Sequence, residues 1–431
     1  MACCSLQEVF QQGFEAFARG RRLHARELRA AEAIAGCYTE AMGSHTVACL
    51  GGDFSKVQFH ACRHRSCPRC ADAARNAWID AEMARLLPCP HFHTVFTIPH
   101  SLLPLWALNR TWFINALFDA CRQSLLQLLA DPRHLGAEPG ILMSLHTWGR
   151  NLCHHPHIHC LVSAGGIDPD GRWRSCSPHW LAPVQALKAL FRGKLLDALW
   201  HALPDLQLPP GSDVSTWQRQ IKRLYRKPFN VEIRPPYEHG RGVVLYLARY
   251  AKGGPVPLQR PLRLRDGFVL FPYTDHRSQR QQTLPLPLPE FISRILWHAP
   301  PRGVHTTRHA GLYTSAHRLQ HSQAQIDLNK LQPQPWPRPA PAPSAPRPPL
   351  PCPRCCGPLL RVAYRPRLPS RWMTTHLNGE FSLPRAPHST GPPPQAHGAV
   401  QLSGQADALR PSLAPQLQPS HDPQLRRQAR P

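Results

Sequence analysis

The stretch ILMSLHTWGRNLCHHPHIHCLVSA, residues 141–164, decides the fold of the central part of this chain. Its two ends are apolar and rich in β-forming residues, and a polar loop joins them, so the stretch is predicted to form two neighbouring antiparallel strands. Because side chains alternate along a strand, His157 and His159 share one face while Ile158 enters the core on the other. Two imidazoles on one face of a central strand are the arrangement that a bound divalent metal needs.

A third metal ligand is predicted from the same hairpin. His146 lies just before the connecting loop, and pairing across the hairpin would bring it beside His157. His93 is the competing candidate. A histidine pair is a weak signal by itself, because 26 histidines in this chain produce such pairs by chance. The alternative is that these histidines only satisfy the polar end of a strand.

Periodicity elsewhere supplies the remaining elements of the fold. Apolar spacing predicts helices, and alternation predicts further strands. The predicted helices cover 6–36, 72–87, 105–129 and 187–203, and the further strands cover 91–98 and 230–234. The order strand, helix, strand, strand, helix, strand, helix predicts an α+β fold, a ferredoxin-like antiparallel sheet with helices on one face.

Two tyrosines follow the last predicted strand in GVVLYLARYAKGG, residues 242–254. Tyr246 and Tyr250 are four residues apart, and on a helix that spacing places both hydroxyls on one face. Tyrosine is a weak nucleophile until it is deprotonated, since its ordinary pKa is about 10. A neighbouring cation or metal would favour the phenolate and polarise a phosphate for attack. Tyrosines at this spacing more often pack a core, so the prediction depends on their occurring together with the histidines.

Charge indicates the partner. The formal net charge is +25, and basic side chains gain affinity for a polyanion by releasing counterions from its phosphates. Nucleic acid is therefore the first candidate, although Arg-rich composition from a GC-rich source is the alternative. No export signal opens the chain, and no run of about 18 apolar residues predicts a membrane span. A reducing cytoplasm is the expected location, where clustered cysteines more often hold a metal than form disulfides.

A zinc module is predicted between residues 37 and 70. The sequence CRHRSCPRC, residues 62–70, contains a CxxC pair with the spacing of a zinc knuckle. Spacing does not decide which four ligands share an ion, and reduced structural cysteines are the alternative. The candidate zinc ligands are Cys37, His45, Cys49, Cys62, Cys67 and Cys70.

From about residue 332 the composition changes. Prolines recur and apolar residues become scarce, so residues 332–431 are predicted to be a mostly disordered tail. Within it, CPRCC at 352–356 contains a CxxC. That pair supplies two ligands, whereas a tetrahedral zinc needs four.

Several segments together resemble a known family. CRHRSCPRC, HFHTVFTIPHSL, HTWGRNLCHHPHIHCLVSAGG, YLARYAKGGPV and RGVHTTRHAGLY look like successive motifs of the rolling-circle transposases of the HUH endonuclease class, the insertion-sequence ninety-one family. The resemblance places the metal-binding histidines on His157 and His159, the paired nucleophiles on Tyr246 and Tyr250, and the zinc region on 37–70. It also implies single-strand nicks followed by transfer of a displaced strand.

Two departures from the family pattern stand out. Where the family usually has a CxxCG knuckle, Cys49 is followed by Gly52, so one expected zinc ligand is missing. The segment AKGGPV after the tyrosines is also unusual, although both nucleophiles are kept. Local patterns predict an N-terminal helical segment at 1–36 and the tail at 332–431, which looks unlike the core of the family. Between them, the resemblance implies a zinc-binding domain at 37–88 and an HUH nuclease domain at 89–331.

The resemblance gives the expected function. It implies a DNA transposase that uses Mg²⁺ or Mn²⁺ together with zinc and acts on single-stranded and element-end DNA. Aromatic residues such as Trp148 and Trp217 are candidates for stacking on the bases of that DNA. The oligomeric state is left open. The alternatives are a replication initiator or relaxase of the same chemistry, and a zinc-dependent DNA-binding protein without catalysis.

Overall fold

The computed structural model describes residues 3–237, 241–275, 278–331, 351–370 and 372, and for residues 241, 249 and 250 it describes the backbone alone. The elements up to the zinc region are α1 (Leu6–Ala18), α2 (Ala25–Gly36), β1 (Ser44–Cys49), β2 (Ser55–Phe59) and α3 (Pro68–Arg85). The central elements are β3 (His91–Thr97), α4 (Leu103–Leu108), α5 (Arg110–Ala130), β4 (Glu138–Trp148), β5 (His154–Ile167), β6 (Trp173–Ser175), α6 (Val184–Ala202), α7 (Val214–Tyr225), β7 (Asn230–Tyr237) and α8 (Arg241–Ala251). The remaining elements are β8 (Arg263–Arg265), β9 (Phe268–Thr274), β10 (Gln281–Pro287), α9 (Leu288–Trp297), β11 (Thr307–Gly311), α10 (Arg318–Leu331) and β12 (Leu359–Arg365).

An antiparallel sheet forms the centre of the fold, with strand order β11-β4-β5-β3-β7 and β6 paired to the end of β5. The predicted hairpin is confirmed: β4 and β5 are antiparallel, with His146 opposite His157. The predicted α+β class with an antiparallel sheet is therefore confirmed. Within the described residues, no helix has the length and apolar character needed to cross a lipid bilayer.

The two faces of the sheet belong to different cores. Ile158, Cys160 and Val162 pack with α5 and α6 on one face. Leu161, from the alternate set, packs with Val244 of α8 on the other face. The prediction of helices on one face is thus wrong, because the tyrosine helix α8 covers the opposite face from α5 and α6. Strands β3 and β5 are therefore buried along nearly their whole length, including their histidines.

Two predicted helices are interrupted. The single helix expected over 6–36 ends at Ala18, and Gly20 takes the left-handed conformation with φ 70° before α2 begins. A residue without a Cβ adopts that conformation at little cost, so the glycine turns the chain there. The long helix expected over 105–129 is divided at Asn109 into α4 and α5.

A further core joins the N-terminal helix α1 to α9 and β9. Phe10 and Phe14 of α1 pack with Phe291 and Ile292 of α9 and with Phe271 of β9. A capping box between Ser5 and Glu8 fixes the start of α1. The predicted N-terminal helical segment therefore shares its core with residues far along the chain.

Part of the predicted tail has regular structure. Strand β12 pairs with β1, and with β2 they form a three-stranded antiparallel sheet. The other tail residues, 332–350, 371 and 373–431, lie outside the described residues.

Candidate active site and zinc module

Three histidines converge on the face of the central sheet that carries α8. His146 lies opposite His157 in the strand register, and His159 follows two residues later on the same face. Their ligand nitrogens all lie within 4.8 Å of one another. The structure therefore brings together the two histidines of the predicted pair and the predicted third ligand.

Hydrogen bonds orient two of these rings. Nδ1 of His157 donates to the carbonyl oxygen of His155 at 2.6 Å, which leaves Nε2 of His157 as the ligand nitrogen. Nε2 of His93 lies 2.8 Å from Nδ1 of His159. His93, the competing candidate, therefore stands behind His159, in the position from which a second residue orients a metal ligand.

The electrostatic environment keeps the three imidazoles neutral. Burial, together with the charges of neighbouring histidines, lowers the pKa of His157 to about 3. Burial also holds the pKa of His146 and of His159 well below the ordinary value. A neutral imidazole is the form that binds a metal, so the group is ready to bind one at neutral pH.

Tyr246 faces the histidine group from α8. Its ring centroid lies 5.5 Å from that of His159, 5.7 Å from that of His93 and 6.5 Å from that of His146. Tyr250 lies one helical turn further along α8, and its side chain is outside the described residues. The sheet and the tyrosine helix thus bring a phenol and a set of metal-competent nitrogens to one site.

An arginine that the sequence did not single out lies beside this site. Arg234 on β7 pairs with His93 in the strand register and bonds Glu232 with Nε to Oε1 at 3.1 Å. The hydrogen bond and charge of Glu232, and then the phenol of Tyr246, raise the pKa of Arg234. The positive charge of Arg234 therefore interacts with the phenol of Tyr246. The alternation in NVEIR put Glu232 and Arg234 on one face, but nothing local indicated that β7 would lie next to β3.

Four of the six predicted zinc ligands form one cluster. The sulfurs of Cys37, Cys62, Cys67 and Cys70 all lie within 4.8 Å of one another. The backbone N–H of His64 donates to the sulfur of Cys62 at 3.4 Å. Hydrogen bonds from the Cys62 thiol and from the backbone amide of Cys70 lower the pKa of Cys67 to about 6. Such N–H···S bonds favour the thiolate, which is the form that binds zinc.

The other two predicted zinc ligands lie elsewhere. Nδ1 of His45 is 3.0 Å from Nε2 of His60. The sulfur of Cys49 is 3.1 Å from that of Cys355. Spacing alone could not separate these residues from the four-cysteine cluster.

The cysteine module touches the tyrosine helix directly. Arg65, between Cys62 and Cys67, donates to the Thr306 hydroxyl at 2.6 Å and to the carbonyl oxygen of Ala251, the last residue of α8, at 3.3 Å. A Cβ on Gly254 would lie 3.1 Å from the carbonyl oxygen of Ser66, so the loop after the tyrosines passes close to the knuckle. The module therefore helps to set where α8 ends.

The two aromatic residues suggested for stacking differ in exposure. Trp148 is only partly buried, and its ring lies 6.0 Å from that of His146 at an interplanar angle of 13°. Trp217 is buried in the core, where its Nε1 donates to the Ser212 hydroxyl at 3.0 Å. Trp148 remains a candidate for contact with a nucleobase, and Trp217 is a packing residue.

Comparisons with known proteins identify the family of the chain. Residues 9–98 match the family described as "Transposase zinc-binding domain", and residues 140–321 match the family described as "Putative transposase". The chain is 36% identical over 322 residues to "Putative transposase y4qJ" of Sinorhizobium fredii, covering 73% of this chain and 81% of that protein. It is 33% identical over 282 residues to "Transposase for insertion sequence element IS801" of Pseudomonas savastanoi pv. phaseolicola, covering 64% of this chain and 67% of that protein.

The chain belongs to the insertion-sequence ninety-one family of transposases, and its N-terminal part is a transposase zinc-binding domain. Among solved structures, a conjugative relaxase in complex with origin-of-transfer DNA, a metal-bound structure, matches at 14% identity with a TM-score of 0.22. The match covers 57% of this chain and 96% of the relaxase chain.

Proposed function

We propose that this transposase nicks single-stranded DNA at the ends of its element through a phosphotyrosine intermediate and transfers the strand in rolling-circle transposition. The observation that carries the proposal is the Tyr246 ring, 5.5 Å from the ring of His159 in the histidine group. A nucleophile next to a metal-competent group is what strand cleavage requires. Family membership supports the same reaction class.

The donor set of the histidine group fits a divalent cation. Three neutral imidazoles with nitrogens within 4.8 Å of one another suit Mn²⁺, while Mg²⁺ prefers oxygen ligands but is the abundant ion. His146, His157 and His159 would hold the ion, and His93 would keep the ring of His159 in orientation. When bound, the ion would act as a Lewis acid on the scissile phosphate.

The protein side chains carry the remaining steps. The phenol of Tyr246 gives its proton to solvent water, and its oxygen attacks the scissile phosphorus. The bond from phosphorus to the leaving oxygen breaks, that oxygen takes a proton from solvent water, and a free DNA hydroxyl results. The bond energy is retained in the phosphotyrosine, so a hydroxyl from another strand can reverse the reaction without ATP.

Arg234 and Tyr250 extend this scheme. The guanidinium of Arg234 interacts electrostatically with the Tyr246 phenol, so it would stabilise both the phenolate and the charge on the attacked phosphate. A second tyrosine one turn along α8 would let the protein hold one strand end while it attacks another. The net charge of +25 supports a DNA partner, and partly exposed Trp148 offers a surface for an unpaired base.

A covalent-adduct assay tests the proposal. The full chain is incubated with Mn²⁺ and single-stranded oligonucleotides from both ends of the element, and the products are separated under denaturing conditions. We expect a protein–DNA adduct and a shortened strand with the wild type. The double variant Tyr246→Phe/Tyr250→Phe should form neither.

The matched control is Tyr225→Phe, which changes an exposed tyrosine on α7 and should behave like the wild type. An adduct of wild-type amount in the double variant would overturn the nucleophile assignment. Specific binding without metal-dependent nicking would favour the non-catalytic DNA-binding protein. Nicking of a plasmid origin in place of element ends would favour the replication initiator or relaxase.

A further inference from the structure

A second cysteine cluster lies apart from the four-cysteine module. The sulfurs of Cys49, Cys352 and Cys355 all lie within 4.8 Å of one another. Cys49 ends β1, whereas the other two come from the CPRCC segment after the proline-rich stretch. From this cluster we propose a second zinc site, which joins the C-terminal CxxC to the N-terminal zinc-binding domain.

Strand pairing explains how such distant residues meet. Strand β12 pairs antiparallel with β1, and Cys49 lies opposite Leu359, the first residue of β12. The CPRCC loop is closed by a bridge between Pro351 and Pro358, so it leads directly into β12. The end of one strand and the start of its antiparallel partner lie at the same end of the sheet. Both cysteine loops are therefore held at that end.

The local geometry repeats that of the first cluster. In the first cluster the amide of His64 donates to the sulfur of Cys62, two residues earlier. In the second cluster the amide of Arg354 donates in the same way to the sulfur of Cys352 at 3.4 Å. A loop whose backbone amide donates to a cysteine sulfur stabilises the thiolate, and such a loop occurs at both clusters.

The donor set favours a bound zinc ion over three thiols without a metal. Three thiols that converge in a reducing compartment repel one another once ionised, and a soft divalent cation removes that repulsion. Three thiolates leave one position of a tetrahedral ion to be filled from outside this trio. Gly52, which replaces an expected ligand of the family pattern, lies in the Cys49 turn, where its N–H donates to the Cys49 carbonyl at 3.0 Å. The C-terminal CxxC therefore supplies thiolates to a knuckle that has kept only Cys49.

Metal content of the full chain, purified under reducing conditions, tests the site. The double variant Cys352→Ser/Cys355→Ser should hold one zinc ion per chain fewer than the wild type. Cys356→Ser, which changes the exposed neighbour outside the trio, is the matched control and should lose none. Unchanged zinc in the double variant would overturn the proposal.

Cobalt substitution separates this site from the histidine group and from misfolding. Thiolate-to-cobalt charge-transfer absorption reports only cysteine sites, and the double variant should lose the part due to three of the seven clustered thiolates while retaining the rest. Cys355→His should keep the metal but lose part of the thiolate absorption, because imidazole also binds zinc. A Cys49–Cys355 disulfide that persists under reducing conditions, or a full thiolate signal in the double variant, would contradict the site.

Discussion

The histidine group and the four-cysteine cluster are both sets of potential metal ligands, but they are built differently. The cysteine cluster supplies four thiols, which would fill the coordination of a tetrahedral ion and leave no position for a substrate. The histidine group supplies three nitrogens and faces a tyrosine, so a position is left for a phosphate oxygen. Closed sites stabilise a fold and open sites do chemistry, so the difference predicts which substitutions damage stability and which damage activity.

Substitution of a cysteine in the four-cysteine cluster should have the largest effect of all, and the quantity affected should be the stability of the fold. Cys67→Ser removes a ligand at the start of α3, and loss of a structural metal belongs to the changes that exceed about 4 kcal/mol. We expect a lower midpoint of thermal unfolding and loss of zinc. Cys121→Ser, also buried but outside the clusters, is the control and should keep the zinc. Wild-type zinc content in Cys67→Ser would contradict the role of this cluster.

Substitution of a histidine ligand should show the opposite pattern. His159→Ala removes a proposed metal ligand. Because metal binding to the phosphate is worth several kcal/mol of charge stabilisation, we expect nicking to fall on the order of a thousandfold. The zinc held by the cysteines should stay unchanged. His179→Ala, at an exposed histidine, serves as the control in the adduct assay. If His159→Ala nicked at the wild-type rate, the histidine group would not be the metal site.

A smaller effect is expected at the residue behind His159. His93→Ala removes the ring whose Nε2 lies 2.8 Å from Nδ1 of His159. Loss of such an orienting partner typically costs about 10- to 100-fold in metal affinity or activity. The measurement is the Mn²⁺ concentration that gives half-maximal nicking, which should rise. A drop in rate with no change in Mn²⁺ dependence would argue against an orienting role.

Arg65 tests whether the two regions are coupled. Arg65→Met removes the bonds to the Thr306 hydroxyl and the Ala251 carbonyl, and hydrogen bonds to a charged group are worth about 1.5–3 kcal/mol. We expect nicking to fall by about tenfold with the zinc content unchanged, because the end of α8 loses its support. Arg69→Met, which changes the arginine between Cys67 and Cys70 that donates to Gln7, is the control. Equal activity of the two variants would mean that the regions act independently.

Acid should destabilise the sheet through its buried histidines. Burial lowers the pKa of His91 to about 4, and its ring bonds the Cys89 carbonyl and the Tyr313 hydroxyl. Because the folded pKa lies below the unfolded value of about 6.5, stability is full above pH 6.5 and declines as pH falls towards 4. For one such histidine, the free energy of unfolding falls by about 0.7 kcal/mol between pH 7 and pH 6. Thermal midpoints of the wild type and His91→Asn across that range measure the effect, and parallel curves would contradict it.

Much of the fold could be predicted from local patterns. Alternation in 157–164 and the polar loop before it indicated the hairpin, and the same alternation put His157 and His159 on one face. The break at Gly20 was missed because the apolar spacing on both sides of it fits one helix. The covering of both sheet faces was also missed, since a strand pattern does not tell which helices will pack on it.

Local patterns also predicted some residues of the candidate site and missed others. Spacing indicated His146 as a partner of His157, because residues across a hairpin are close in sequence as well as in space. Arg234 was missed because its strand joins the sheet next to β3, and that pairing closes a loop of well over a hundred residues. The grouping of Cys49 with Cys352 spans an even longer loop.

The sequence by itself determined the hairpin of β4 and β5, most of the long helices, the shared face of His157 and His159, and the family to which the chain belongs. These follow from periods of two and 3.6 residues and from short motifs, which depend on near neighbours only. Tertiary structure alone decided which cysteines share a cluster, that His93 stands behind His159, and that Arg65 reaches the tyrosine helix. These contacts depend on which strands pair across long loops, and strand pairing is set by the whole core rather than by any one segment.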